Sequence, residues 1–98
     1  MFDPYIQGQP AHLSLTVADM SGQPADPGSL TLKVKPPTGV IQSYGYGTAP
    51  EVVRDGVGLY HADLDLPVAG VWAYRWELTA PNAGAAEGLI QVQKSRVI

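Results

Sequence analysis

The chain has 98 residues, 45% of them apolar and 15% charged, with a net charge of −3 and no cysteine. These totals exclude a disordered chain, a disulfide scaffold and the basic footprint that nucleic-acid binding needs. No apolar run approaches the roughly 20 residues of a membrane-spanning helix, and 11 glycines with 9 prolines favour short elements joined by tight turns.

The opening residues, "MFDPYIQGQP", lack the positive and apolar regions of a signal peptide. The chain is therefore expected to be a complete small product made in the cytosol, and the lack of cysteine agrees with a reducing compartment. An edge strand is predicted over 3–8. In "HLSLTVAD" (12–19) Leu13, Leu15 and Val17 share one face and His12, Ser14, Thr16 and Ala18 the other, which is the period of a half-buried strand. "MSGQPADPGS" is a turn segment. A strand over 29–35 sends Leu30, Leu32 and Val34 inward, and "PPTG" ends it because proline cannot donate to a ladder. "VIQSYGYG" (40–47) reads as a weaker strand. "TAPEVVRDGVG" (48–58) reads as a long connection with room for a short edge strand at 52–54. Strands over 58–66, 71–79 and 86–93 complete the pattern.

Half of the aromatic residues, Tyr60, Trp72, Tyr74 and Trp76, fall within 58–78. Exposed, they would make a platform for a sugar or a base. Their period of two puts them beside Leu64, Leu66 and Leu78, with His, Asp, Arg and Glu opposite, so the rings are expected inside. One end of the row, Trp72 or Trp76, is expected to be partly exposed. No window has a helical period beyond two turns. Six or seven short strands, with turn signals every 8–12 residues, predict an all-β, antiparallel sandwich, with a small barrel as the alternative.

The paired segments "DGVGLYHADL" and "AGVWAYRWEL", with the earlier "DMSGQPADPGSLTLKVKPPTG", resemble bacterial and bacteriophage immunoglobulin-like domains over roughly residues 11–93. These domains often read D-x-x-G-x-Y, a Pro/Gly turn, then G-x-W or G-x-Y. The resemblance implies a single immunoglobulin-like β-sandwich of about seven strands without a disulfide, between an N-terminal arm (1–10) and a tail (94–98). It is similar to the small structural proteins of tailed phages, which act as head decoration, neck or tail components. It implies a non-enzymatic protein of the virion, held in the host cytoplasm before assembly. Its partners would be capsid, connector or tail proteins, and a homo-oligomer within the particle is an option.

Candidate partner contacts are Phe2, Tyr5, Tyr44, Tyr46, Val52, Val97 and Ile98, apolar residues at the chain ends and along 44–54. No catalytic, cofactor or metal residue is assigned. His61, Asp63 and Asp65 share a strand face, but strand rise spreads i and i+4 by about 13 Å, too far for one ion. His12 and Ser14 share a face without a third orienting group. Asp19, Asp26 and Asp55 are read as turn residues. The rival readings are a carbohydrate-binding or adhesive module, which needs an exposed Trp or Tyr, and a metal-handling domain. Two histidines and two methionines, all dispersed, speak against the latter.

Overall fold

The computed structural model describes residues 5–94. Eight strands follow in chain order: β1 (Tyr5–Ile6), β2 (Pro10–Thr16), β3 (Leu30–Lys35), β4 (Gln42–Gly45), β5 (Val52–Gly56), β6 (Leu59–Asp65), β7 (Gly70–Leu78) and β8 (Gly84–Gln93). They form a five-stranded sheet in the order β1-β8-β7-β3-β4 and a three-stranded sheet in the order β2-β6-β5. The described residues contain no helix. The fold is an all-β sandwich.

Immunoglobulin-type sandwiches pair their second, fifth and fourth strands in one sheet and their third, sixth and seventh in the other. Allowing for β4 as an added edge, β2-β6-β5 and β3-β7-β8 follow that order. The likeness is one of strand order and concerns the fold alone. The short edge strand expected at 52–54 is present as β5 and extends to Gly56. One detail departs from the sequence expectation: β1 runs parallel to β8, with Tyr5 opposite Val92. The crossing from β1 to β2 is pinned at both sheets, where Gln7 N–H donates to Gln93 O and Gly8 N–H to Leu66 O.

One core fills the space between the sheets. β2 supplies Ala11 and Leu13, β6 supplies Tyr60, Ala62 and Leu64, β3 supplies Leu30, Leu32 and Val34, and β7 supplies Trp72 and Trp76. Strand alternation explains every one of these, because a period of two sends each second side chain inward. The aromatic row is core, as its neighbours suggested. The expected exposed end is not found: Trp72 is 5% and Trp76 1% exposed. Trp72 is closed off because its Nε1–H donates to Val68 O (2.8 Å) in the turn before β7. The half-buried member is the middle ring, Tyr74. It lies over Gly88, its register partner on β8, and a Cβ at 88 would run into the ring.

Candidate functional site

The outer face of the small sheet carries a cluster that sequence spacing did not reveal. The β2–β6 register sets His12 opposite Asp63 and Ser14 opposite His61. His12 Nδ1 lies 2.7 Å from Asp63 Oδ1. His61 Nδ1 lies 2.7 Å from Asp55 Oδ2, and His61 Nε2 is 3.6 Å from Asp63 Oδ2. The imidazole rings stack with centroids 4.9 Å apart and planes at 28°. Asp55 falls where the β5–β6 register shifts, between Arg54 and Gly56. The two histidines, dispersed in sequence, are therefore neighbours, and His12 does have an orienting group, Asp63. The distance limit along one strand stands, but the cluster forms across β2, β6 and β5, where neighbours on adjacent strands are about 5 Å apart.

The outer face of the large sheet combines a charge ladder with an apolar strip. Lys33 Nζ meets Glu77 Oε1 at 2.9 Å, Arg75 Nε meets Glu77 Oε2 at 2.9 Å, and Arg75 Nη1 meets Glu87 Oε2 at 2.8 Å. Lys33 and then Arg75 hold the Glu77 carboxyl below its ordinary range, while Glu87 and then Glu77 raise the Arg75 guanidinium. Beside the ladder, Lys35, Ile41, Ala73 and Leu89 help to line a shallow trough of about 470 Å³. Leu89 is 67% and Val71 56% exposed. Both point outward by alternation, opposite the side that carries Ile90 and Trp72.

A third cluster is structural. Asp26, in the β2–β3 loop, accepts from Arg54 Nη2 (2.9 Å), Gly58 N–H (2.8 Å) and Tyr60 O–H (3.0 Å). These bonds, led by Arg54, lower its carboxyl to about 2. Burial, together with the bond to Asp26, pushes the Tyr60 hydroxyl up. Asp26 thus does more than shape a turn: it ties the β2–β3 loop to β5 and β6. Asp19 keeps its turn role, accepting from Ser21 N–H, Ser21 O–H and Gln23 N–H.

The candidate partner contacts separate. Phe2, Val97 and Ile98 lie outside the described residues. Tyr5 and Tyr44 are half-buried and pack against the core, and Tyr44 O–H donates to Gln42 Oε1 (2.8 Å). Tyr46 is exposed but sets its ring edge-on to Tyr60, with centroids 5.5 Å apart. Val52 is corrected: at 4% exposed it belongs to the core, because β5 sends Val52 inward and Val53 outward. A cleft of about 350 Å³ between the sheets is lined by Tyr44, Glu51, Asp63, Asp65 and Trp72 among others. Burial, and then the charges of Glu51 and Asp65, raise the Tyr44 hydroxyl there.

The chain matches no protein-family model, no curated protein and no solved structure.

Proposed function

We propose that this chain is a non-enzymatic binding module that docks on other proteins through the outer face of its larger sheet and the adjoining β4 edge. The observation that carries the reading is the strip formed by exposed Leu89 and Ile41 with half-buried Ala73 beside the Lys33–Glu77–Arg75–Glu87 ladder. An apolar centre with a charged rim is the usual anatomy of a protein–protein interface. The other free edges are less suited to strand addition. β1 has two residues, β2 begins at Pro10, and β5 carries a register shift; each of these features discourages edge pairing.

The setting we propose is the particle of a tailed phage, with capsid, connector or tail subunits as partners. Its support is the resemblance of residues 11–93 to phage immunoglobulin-like domains, and the strand order agrees with that resemblance. The carbohydrate-binding alternative loses its main platform, since both tryptophans are buried.

Mass spectrometry of purified particles tests the setting: the protein should be present at a fixed ratio to the capsid or tail subunit, and its absence removes the virion assignment. Cross-linking of the native chain and of Leu89→Glu to that subunit tests the face. The substitution should abolish the cross-link without unfolding the domain, and an unchanged cross-link moves the docking surface elsewhere.

A further inference from the structure

We infer that the outer face of the β2–β6 pair is a binding site for a divalent transition-metal ion, with zinc as the best fit, held by His12, His61 and Asp63 and steadied by Asp55. The site is independent of the docking face on the larger sheet. One ring nitrogen of each histidine and one carboxylate oxygen of Asp63 lie within 4.8 Å of one another. A tetrahedral zinc ion with bonds of about 2.0–2.2 Å holds its ligand atoms roughly 3.3 Å apart. His12 Nδ1 lies 2.7 Å from Asp63 Oδ1 and His61 Nε2 lies 3.6 Å from Asp63 Oδ2, so the two imidazoles flank one carboxylate through its two oxygens. Because the two rings stack 28° from parallel and imidazole lone pairs lie in the ring plane, binding requires side-chain rotation that turns a nitrogen of each ring and one Asp63 oxygen toward a common point.

The chemistry of the donors supports a transition metal over calcium or magnesium. Two imidazoles and one carboxylate suit zinc, copper or nickel, whereas the hard cations want an all-oxygen shell. The second layer is already in place. A carboxylate accepts, so Asp55 draws the proton of His61 to Nδ1 and leaves the Nε2 lone pair facing Asp63. A carboxylate on the far nitrogen of a ligating histidine is the arrangement that fixes tautomer and ring orientation in metal sites. At the other histidine the ion takes the place of the proton held between His12 and Asp63, and that proton passes to solvent. Three protein ligands leave one vertex open to water or to a donor from a partner.

The test is titration calorimetry of the full, tag-free chain with ZnCl₂, in parallel with Co²⁺ absorption. One ion per chain should bind, Co²⁺ should give the intense visible bands of a four-coordinate site, and MgCl₂ and CaCl₂ should give no heat. His61→Ala and Asp63→Asn should each remove binding. Asp55→Asn should weaken it by about 10–100-fold, as loss of a second-layer partner does. Asp65→Asn, on the same strand face, should leave it unchanged. Circular dichroism of each variant separates loss of the site from loss of the fold. Absence of zinc binding by the folded native chain, or binding that survives His61→Ala, overturns the inference and leaves a hydrogen-bonded surface cluster only.

Discussion

Gly58 has little freedom to change. Its φ is +70°, in the left-handed region, and a Cβ there would collide with the Val17 carbonyl. That carbonyl accepts from Ala25 N–H, and Gly58 O accepts from Val17 N–H at 2.7 Å, so the backbone cannot move aside cheaply. Gly58→Ala is expected to cost at least about 2 kcal/mol, combining backbone strain with the clash, and urea denaturation reads it directly. Asp26 shares the same junction and gives it a pH dependence. Its carboxyl falls from 3.8 in the unfolded chain to about 2 in the folded one. The folded state therefore prefers the charged form, and the stabilisation is complete above the unfolded value. It is lost as pH falls from about 3.8 through about 2. Asp26→Asn should be less stable than the native chain at neutral pH, and the gap should close over that window in acid unfolding curves. A gap that persists well below pH 2, where Asp26 is neutral in both states, would mean that Asp26 acts through shape and not through charge.

At the scale of the strands, β7 and β8 illustrate how one sheet face accommodates three large rings in succession. Trp72 and Trp76 go fully inward, and Tyr74 between them finds room only because β8 places Gly88 beneath it. Trp72 gives its N–H to Val68 O, whereas the Trp76 N–H has no acceptor among the described residues. Its burial is driven by the ring alone. Gly88→Ala is expected to destabilise by about 1–3 kcal/mol through overpacking. Combined with Tyr74→Ala it should cost less than the sum of the two single changes, because removing the ring empties the space that the new methyl needs. A double-mutant cycle on thermal midpoints measures this coupling, and strict additivity would show that Tyr74 and Gly88 do not share that space.

For the molecule as a whole, the two outer faces lie on opposite sides of one core and share no side chains. Leu89→Glu changes an exposed position, so its effect on stability should stay within about 0.5 kcal/mol while it abolishes docking. By the same separation it should leave zinc affinity unchanged, and His61→Ala should leave docking unchanged. Calorimetry and cross-linking on both variants check these expectations together. Any crossover between the two readouts would mean that the faces communicate through the core.

Alternation in "LTLKVK", "LYHADLDL" and "VWAYRWELT" was enough to predict the strands, their inward residues and the sandwich class, because a period of two is a local property of the backbone. The buried aromatic row was legible for the same reason. The full extent of β5 was hidden by the glycines and proline around it. Tertiary structure alone decided what lies beside what. Strand register, set by packing and turn geometry, brings His12 of β2 to Asp63 of β6 across 51 residues of chain, ties Asp26 to Arg54, Gly58 and Tyr60, and sets Leu89 beside Ala73 and Ile41. A one-residue slip in pairing would turn every outward side chain inward, so a site assembled across strands exists only once the register is fixed by the core.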